Sequence, residues 1–443
     1  MKCFKTTILT ALLALLPACG MKIVTGSIMS GYYQQLSLNP ERLCTPHMFQ
    51  DVWTGIKEGF YKPLSNKDLV AGSLQGLSEA LGKNPEFPIY KSDGEYTAEK
   101  FWEFLAEQKE NSPKSLSDLC YASIHGIIKS LNDPFSDFVE VEKGETRMIA
   151  MLGAKYYGIG FVSTVDYKNK RLYVDIIYPN SPAERGGLKR FDEILTFDNK
   201  DIREYNLLAI TEKFRGKKGS KAEFSVKRKG CDKLLTLKFT RDIVDYKDAF
   251  CEMWQGVPYC HIYGFGNKTM ENFTASFSKL PKHHPKKLII DLRNNRGGMV
   301  FTATNMLGNF WLKSKFSTVF VKRQFGMTPF NDNARKAMFE DYKTAVLING
   351  GSASAAEMFA GALKDYKKAV LIGEKTYGKG VIQTSTFIYG AILSITSAHN
   401  LTPLGNIIHK KGVKPDIEVK FTLQDLKQNR DTQLEKALQY LKK

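Results

Sequence analysis

The sequence lacks the histidine and cysteine spacings that usually hold a metal ion. Its 443 residues include seven histidines and seven cysteines, but no His-Glu-x-x-His pattern and no Cys-x-x-Cys pair. Zinc hydrolases and zinc-stabilised domains depend on such spacings, because their ligands must converge on one ion. The sequence therefore predicts neither a metal site nor a cofactor.

The cysteines also lack the dense spacing of a disulfide framework. Five of them follow Cys19 in the chain: Cys44, Cys120, Cys231, Cys251 and Cys260. Cys251 and Cys260 are candidates for one disulfide in an oxidising compartment. Buried free thiols are the favoured interpretation of the set, because free cysteine behaves as a small apolar residue.

There is no arginine-rich arm and no basic block interleaved with aromatic residues. The 64 Lys and Arg residues outnumber the 46 Asp and Glu residues, and the net charge of +18 is spread along the chain. This distribution indicates a solvated, lysine-rich surface and does not predict nucleic-acid binding. Attraction to an anionic membrane face or to acidic polypeptides is the weaker inference.

The N-terminal residues are typical of a secretory signal. Two lysines precede an apolar run, residues 8–16, that is too short to span a bilayer and ends in Pro-Ala-Cys-Gly. We therefore predict a signal peptide over residues 1–19 and an exported protein of the periplasm or cell envelope. Residues 16–19 are also similar to a bacterial lipobox, so lipid attachment at Cys19 and plain cleavage nearby both stay open.

The hydrophobic periodicity divides the remaining chain into a multidomain α/β protein. A three-to-four-residue period predicts an N-terminal helical domain over residues 20–142, interrupted by a polar stretch, residues 82–117, that we interpret as an insertion or mobile connection. A period of two predicts a β domain over residues 143–243. Alternating strands and helices predict an α/β core over residues 244–425 and a C-terminal helix over residues 426–443.

The β domain resembles a PDZ domain. Gly158-Ile159-Gly160-Phe161 matches a loop whose backbone N–H groups bind the C-terminal carboxylate of a peptide, which adds a strand to the sheet edge. A Ser-Pro-Ala-Glu-Arg-Gly-Gly-Leu helix and an Asp-Glu-Ile-Leu strand follow at the expected distances. Arg190-Phe191 replaces the usual Pro-Gly before that strand, which leaves the geometry of this turn open.

Lys379 follows a glycine, four residues and a second glycine, a spacing close to that of a phosphate-binding loop. Such a loop needs Ser or Thr after the lysine to bind Mg²⁺, and a helix whose N-terminus faces the phosphates. Gly380 has no hydroxyl, and the residues after it have a strand-like pattern. The nucleotide interpretation is therefore disfavoured, and Lys379 is a candidate base that needs a nucleophile from another segment.

Ser354 is the candidate nucleophile. It lies between an apolar strand with a glycine turn and a helix of small residues, a junction that exposes a serine at the carboxyl edge of a sheet. The structural alternative is that Ser354 begins the helix as its cap, with Glu357 completing a capping box. Ser352 is a competing nucleophile in the same turn.

Three segments together resemble the core motifs of the C-terminal processing peptidases, also called tail-specific proteases. They are Asp-Leu-Arg-Asn-Asn-Arg-Gly-Gly at 291–298, the Ser354 segment, and Thr-Tyr-Gly-Lys-Gly-Val-Ile-Gln at 376–383. The likeness extends from about residue 45 to 420. It implies a helical N-terminal domain, a PDZ domain and a serine protease core of the α/β type found in ClpP and crotonase.

The resemblance also implies the site. Ser354 matches the nucleophile, Lys379 its base and Gln383 a residue that orients the lysine. Lysine accepts the serine proton only when uncharged, so this role requires burial that lowers its pKa from about 10.4. For the oxyanion we predict the N–H of Ala355 with that of Gly297 or Gly298.

The sequence therefore predicts a serine endopeptidase that cleaves polypeptides near unstructured or apolar C-termini. An inactive PDZ binding scaffold is the alternative. Two residues depart from the family pattern: Ala356 stands where many relatives have serine, and Arg296 replaces a more usual proline. Membrane anchorage, assembly into a homo-oligomer and the activating or inhibiting role of the PDZ-like domain stay open.

Overall fold

The computed structural model describes residues 44–141, 156–166, 170–205, 210–244, 247–310, 318–322, 325–327, 337–422, 424–425, 428 and 430–442. The predicted signal peptide and Cys19 lie outside these described residues. Within the described ranges, no helix has the length and apolarity needed to cross a membrane.

The described chain forms ten α-helices and nineteen strands. The helices are α1 Pro46–Gly59, α2 Asn66–Leu81, α3 Ala98–Glu110, α4 Leu116–Ser130, α5 Pro182–Arg185, α6 Ile210–Lys213, α7 Thr269–Phe277, α8 Val300–Phe310, α9 Ala355–Asp365 and α10 Thr432–Lys442. The strands are β1 Asp137–Val139, β2 Tyr156–Gly158, β3 Phe161–Asp166, β4 Arg171–Ile177, β5 Glu193–Phe197, β6 Lys200–Asp201, β7 Lys221–Lys227, β8 Leu235–Thr240, β9 Asp242–Val244, β10 Ala249–Trp254, β11 Val257–Ile262, β12 Lys287–Asp291, β13 Thr318–Lys322, β14 Phe325–Met327, β15 Lys343–Ile348, β16 Val370–Gly373, β17 Val381–Ile388, β18 Ala391–Leu401 and β19 Ile417–Glu418.

The chain divides into two compact units, each considered by itself. The first unit takes its described residues from Met1–Ala150, Thr318–Met327 and Gly380–Leu401. The second takes them from Met151–Ser317, Thr328–Lys379 and Thr402–Lys443, and so contains both the PDZ-like domain and most of the α/β core.

The helices of the first unit are defined by their caps and by close packing. Helices α2 and α4 each begin with a capping box, Ser65 with Asp68 and Ser115 with Asp118. The two helices touch at Gly76, where a Cβ would overlap the carbonyl oxygen of Ala122. A glycine at this position therefore permits backbone-to-backbone contact between them.

The polar stretch at residues 82–117 is not a mobile insertion. It contains α3, whose residues Phe101, Phe104 and Leu105 are buried in the hydrophobic core of the first unit. Three apolar side chains at helical spacing outweigh the polar composition around them, because burying each contributes about 1.5 to 3 kcal/mol.

The sheet of the first unit has the order β1-β18-β13-β14, with β17 also paired to β18. Strands β17 and β18 form an antiparallel hairpin over residues 381–401. The sequence pattern assigns this segment to the α/β core, whereas in the structure it pairs with β1 of the N-terminal region. Strand pairing distant in sequence is not encoded by local periodicity.

The PDZ-like domain of the second unit has the sheet order β3-β4-β5-β7-β8, with β6 on β5. Its turn before β5 forms without Pro-Gly: Phe191 takes the left-handed conformation at φ 73°, and the Arg190 guanidinium lies 4.7 Å from its ring. Asp192 accepts the N–H of Lys189 at 2.8 Å and closes the turn. An unfavourable φ for a bulky residue is thus held by surrounding contacts.

The α/β core has the strand order β10-β11-β12-β15-β16-β19, and β11 to β19 run parallel. Parallel strands end at the same sheet edge, so the loops after β12, β15 and β16 begin side by side there. These loops are residues 292–298, 349–354 and 374–380. Ligand sites of open α/β sheets form at this carboxyl edge.

Two disulfides correct the prediction of free thiols. Cys251 and Cys260 are bonded and stand directly opposite each other in the β10–β11 register. Cys44 is bonded to Cys120, 76 positions later, within the helical core. The sequence names Cys251 and Cys260 as candidates for a disulfide but gives no sign of the Cys44–Cys120 pairing, which depends on how distant helices pack. Cys231 is free and exposed.

Candidate active site

Ser354 lies in the turn between β15 and α9. It is half-buried and has φ 57° and ψ −121°, a conformation that non-glycine residues rarely adopt. Such strain typically costs about 1 to 3 kcal/mol and persists only where neighbouring contacts impose it. The turn therefore has the strained strand-to-helix character that exposes a serine nucleophile.

Ser352, the competing nucleophile, has a structural position. Its side chain is fully buried, its hydroxyl donates to the carbonyl of Leu292 at 2.8 Å, and the N–H of Asn349 donates to it at 3.0 Å. Its carbonyl oxygen accepts the N–H of Tyr377 at 3.0 Å. These bonds join the turn at residues 349–354, here called the nucleophile turn, to the loops at residues 292–298 and 374–380. They favour Ser354 as the reacting hydroxyl.

Glu357 joins the nucleophile to the candidate base. Its Oε2 accepts the N–H of Ser354 and the N–H of Lys379, each at 2.8 Å, so the two backbone nitrogens lie at most twice that distance apart. Its Oε1 accepts the Thr376 hydroxyl at 2.5 Å and the N–H of Gly378 at 2.6 Å. Burial raises the pKa of Glu357, although these four bonds favour the carboxylate.

The sequence predicts Glu357 only as the acidic residue of a capping box with Ser354, and the bond from the Ser354 N–H to its side chain forms. The other three bonds link it to a loop about twenty residues later, which a local capping pattern does not predict. One sequence signal could have indicated these bonds: Glu357 stands between the apolar residues Ala356 and Met358. A glutamate in such a place is expected to be buried, and a buried carboxylate needs hydrogen-bond partners.

The turn at Gly297-Gly298, here called the glycine turn, lies against the nucleophile turn. Gly297 has φ 96°, and a Cβ on it would lie 2.8 Å from the Ala355 nitrogen and 2.8 Å from the Ser354 Cβ. Its N–H donates to the side chain of Asn295 at 2.8 Å, so this donor is occupied. Within the described residues, the N–H groups of Gly298 and Ala355 have no acceptor, which makes them the better-placed oxyanion donors.

Gln383 lies in the first unit, on β17. Its side-chain nitrogen donates to the Thr396 hydroxyl at 3.2 Å, and that hydroxyl donates to Asp133 at 2.6 Å. Asp133 also accepts the Ser136 hydroxyl at 2.6 Å. The Asp-Pro-Phe-Ser segment before the PDZ-like domain thus holds Thr396 of β18, the residue that accepts the Gln383 amide. Ser354, Ala355, Lys379 and both glycines belong to the second unit.

A buried charge cluster supports the glycine turn from within the core. Arg293 binds Asp291 through two guanidinium nitrogens, at 3.0 and 2.6 Å, and Asp431 at 2.8 and 2.9 Å. The Tyr259 hydroxyl donates to Asp291 at 2.7 Å. Burial alone would raise the pKa of Asp291, but the charge of Arg293 holds that pKa well below its usual range.

Two asparagines join the glycine turn to the nucleophile turn. The N–H of Asn294 donates to the Asn349 side chain at 2.9 Å, and the Asn349 amide donates back to Asn294 at 3.1 Å. The Asn294 amide also donates to Asp175 on β4 of the PDZ-like domain at 2.7 Å. Arg190 of that domain contacts both Asp175 at 3.3 Å and Asp431 at 3.1 Å. Sequence spacing gives no sign of this link.

The predicted carboxylate-binding loop has its carbonyls turned into the PDZ-like domain. Ile159 oxygen accepts the N–H of Ala183 at 2.7 Å, and Gly160 oxygen accepts the N–H of Tyr178 at 3.1 Å. In the described part of the chain, the N–H groups of Ile159 and Gly160 have no acceptor. Gly160 has φ 90°, which a backbone anion site often requires.

An apolar pocket wall adjoins this loop. The ring of Phe161 lies 4.9 Å from that of Phe214 and 5.7 Å from that of Phe224. Strand β3, which begins at Phe161, is at one edge of the described sheet. A free sheet edge beside N–H donors and aromatic rings is the arrangement that accepts a peptide as an added strand.

No group of three or more potential metal ligands converges among the described residues. The groups located at the carboxyl edge of the core sheet are the Ser354 hydroxyl, the backbone of Lys379 and backbone N–H groups. A hydroxyl with a nearby base and N–H donors can carry out nucleophilic attack on a carbonyl with stabilisation of the resulting oxyanion.

Two family models match the chain. Residues 256–419 match peptidase family S41, and residues 149–227 match the PDZ domain. The first range contains the loops after β12, β15 and β16, and the second contains the loop at Gly158–Phe161. The predicted division into a PDZ domain and an α/β protease core is thereby confirmed.

Curated relatives extend the match across both domains. The chain is 33% identical over 310 residues to a probable CtpA-like serine protease of Staphylococcus saprophyticus, covering 69% of this chain and 61% of the relative. It is 35% identical over 318 residues to the protein of the same name in Staphylococcus aureus strain MRSA252, covering 70% and 61%. The chain thus spans about three fifths of the length of these relatives.

A solved structure shares the fold. The photosystem II D1 C-terminal processing protease aligns over 85% of this chain and 93% of its own, with a TM-score of 0.51 and 22% identity. At this identity the likeness concerns the fold alone. It agrees with the helical region, the PDZ domain and the α/β core described above.

Proposed function

We propose that the chain is a member of the C-terminal processing peptidase family and acts as a serine endopeptidase with a Ser354–Lys379 dyad. Its substrates are polypeptides with unstructured or apolar C-termini. The observation that carries the proposal is the shared acceptor: one oxygen of Glu357 binds the N–H groups of both residues. Fixing both backbones on one atom supports a nucleophile and base held as neighbours.

In the proposed reaction, Ser354 Oγ attacks the scissile carbonyl carbon while the uncharged amine of Lys379 takes the hydroxyl proton. The N–H groups of Ala355 and Gly298 donate to the oxyanion, a contribution of about 10²- to 10³-fold per donor in serine proteases. Lys379 returns the proton to the leaving nitrogen, and the C–N bond breaks. Water then hydrolyses the acyl-enzyme with Lys379 again as the base. Gln383 is assigned to orienting the lysine.

The proposed substrate contact outside the dyad is the PDZ-like domain. Its loop at Gly158–Phe161 binds the terminal carboxylate of the tail through the N–H groups of Ile159 and Gly160. The ring of Phe161, packed against Phe214, supports an apolar last residue.

Export to an oxidising compartment is part of the proposal. Disulfides persist in exported proteins and are rare in the reducing cytosol, so the pairs at Cys44–Cys120 and Cys251–Cys260 support it. Mass spectrometry of protein from the cell envelope tests both points. A lipid-modified Cys19 or an N-terminus created by nearby cleavage supports export, and an intact Met1 with four alkylatable thiols contradicts it.

The activity is tested with an unfolded protein substrate that ends in apolar residues. We expect the wild type to release C-terminal fragments and to react with a fluorophosphonate, and Ser354→Ala and Lys379→Ala to lose cleavage. Lys375→Ala is the matched control, because this exposed lysine lies four positions earlier and should leave cleavage unchanged. Equal cleavage by Ser354→Ala and wild type contradicts the dyad, and tail binding without any cleavage identifies a binding scaffold.

A further inference from the structure

A basic loop follows α6 in the PDZ-like domain. We define it as residues 213–221, Lys-Phe-Arg-Gly-Lys-Lys-Gly-Ser-Lys, which contain five cationic residues and no acidic one. All five of these cationic residues are exposed. The proposed proteolytic chemistry makes no use of them.

The basic loop runs alongside the predicted carboxylate-binding loop. Arg215 forms an antiparallel β-bridge with Gly158, the first residue of that loop. The N–H of Gly216 donates to the carbonyl of Tyr157 at 3.2 Å. The two segments are therefore neighbouring backbones, and the charge of the basic loop borders the site for the tail carboxylate.

One acidic side chain beside the basic loop, Asp242, is shared by two cations. Asp242 on β9 stands opposite Gly158 in the strand register. Lys218 lies 3.8 Å from one oxygen of Asp242, and Arg185 lies 3.4 Å from the other. Since Arg185 and Lys218 share this one carboxylate, Asp242 offsets only part of the positive charge that a tail bound at the loop would meet.

A buried arginine holds the basic loop in shape. Arg241 is only 7% exposed, and its guanidinium donates to the carbonyls of Lys213 at 3.0 Å and Lys221 at 2.6 Å and to the Ser220 hydroxyl at 3.2 Å. The N–H of Gly219 donates to the carbonyl of Arg241 at 2.7 Å. These bonds fix the backbone of the loop, so the points from which its charged side chains extend stay in place and less backbone has to be ordered on binding.

We infer that the PDZ-like domain prefers tails with acidic residues just before an apolar last residue. This preference rests on the proposed function, because the tail is the substrate of the proposed peptidase. The terminal carboxylate meets the N–H groups of Ile159 and Gly160, the last side chain meets Phe161 and Phe214, and acidic side chains meet the field of the basic loop. A tail with lysines in the same positions is repelled by that field.

The experiment measures tail binding without cleavage. Full-length protein carrying Ser354→Ala is titrated into fluorescent ten-residue peptides that share one apolar last residue. The three preceding residues are Asp and Glu, their amides, or lysine. We expect the acidic peptide to bind about tenfold more tightly than the amide peptide at low salt, and the ratio to shrink at high salt because the charges are exposed. An acidic peptide with an amidated terminus should bind at least about tenfold more weakly.

Charge variants locate the preference. Lys217→Gln with Lys218→Gln should bring the acidic-to-amide ratio close to one. The same change at Lys227 and Lys233, which are exposed on the β7–β8 hairpin, removes equal net charge and should keep the ratio. Lys217→Arg with Lys218→Arg should also keep it, which excludes a collapsed loop as the cause.

Three results overturn the inference: an unchanged ratio in the Lys217 and Lys218 glutamine variant, an equal loss in the hairpin control, or equal binding of amidated and free termini. Cleavage of a neutral, unfolded substrate by the wild type is measured in parallel. If that cleavage persists while the ratio is one, the tail preference fails and the peptidase proposal stands. If cleavage is absent, the peptidase proposal fails whatever the peptides show.

Discussion

Replacing Glu357 with glutamine removes the acceptor that the nucleophile and the base share. The glutamate carboxylate accepts four donors, two on each oxygen: the N–H groups of Ser354 and Lys379, and the Thr376 hydroxyl with the N–H of Gly378. Glutamine keeps one acceptor oxygen and turns an NH₂ group toward the other two donors. If these are the N–H groups of Ser354 and Lys379, two bonds are lost. If they are Thr376 and Gly378, the Gly378 bond is lost and the Thr376 hydroxyl turns to accept from the NH₂ group.

The expected cost follows from the bonds that are lost. Hydrogen bonds to charged groups contribute about 1.5 to 3 kcal/mol each, so losing one or two of them costs about 1.5 to 6 kcal/mol. Burial raises the pKa of Glu357, which shows that the carboxylate is itself poorly solvated, and a neutral amide recovers part of that cost. The free energy of unfolding should fall by about 2 to 4 kcal/mol, a Tm decrease of about 2 to 7 °C for a protein of this size.

Activity should fall further than stability. In either orientation an NH₂ group faces an N–H donor at Gly378 or at Lys379, which displaces the loop that carries Lys379, and a displacement near 1 Å typically costs about 100-fold in rate. We therefore expect kcat/KM for tail cleavage to drop by about 100-fold or more at a temperature where the variant remains folded. Glu271→Gln, on an exposed face of α7, is the matched control. A Glu357→Gln enzyme within about threefold of wild type, with an unchanged Tm, would refute the bridging role.

Three further outcomes are expected. Gly297→Ala should abolish cleavage and slow fluorophosphonate labelling by more than about 100-fold, since its Cβ would lie 2.8 Å from the Ser354 Cβ; normal labelling argues against this turn as the oxyanion region. Ser352→Ala should lower the free energy of unfolding by about 1 to 3 kcal/mol while the folded variant still labels, and complete loss of labelling in a folded protein would reassign the nucleophile. Because Arg293 lowers the pKa of Asp291 in the folded state, the stability from this carboxylate is present above its unfolded pKa of about 4 and is lost as pH falls toward the folded pKa. Tm measured between about pH 5 and pH 2 should therefore decline more steeply in wild type than in Asp291→Asn, and parallel curves would contradict this assignment.

The fold class and the resemblance to the processing peptidases follow from local sequence features, and the matches to peptidase family S41 and the PDZ domain agree with both. The apolar strand, the Gly350-Gly351 turn and the small-residue helix identify the environment of Ser354, because each of these features is encoded within fewer than ten residues. The PDZ-like domain is recognisable for the same reason. Even its departure at Arg190-Phe191 keeps the expected turn, with Phe191 held at a positive φ.

The features that the sequence does not reveal are contacts between distant segments. Glu357 reaches the Lys379 loop, and Cys44 reaches Cys120, only because their elements pack together. The β17–β18 hairpin joins the sheet of the first unit through pairing with β1. The spacing of apolar residues indicates which face of a helix or strand is buried, but it does not indicate which other element packs against that face.

The ion pair between Arg293 and Asp431 ties the end of the chain to a loop 138 positions earlier. A chain truncated before residue 431 would keep Ser354 and Lys379 but would bury the Arg293 guanidinium with Asp291 as its remaining carboxylate partner. Losing one partner of a buried ion pair is strongly destabilising, so the C-terminal helix contributes to the stability of the turn at Gly297-Gly298 although it lies far from that turn in sequence.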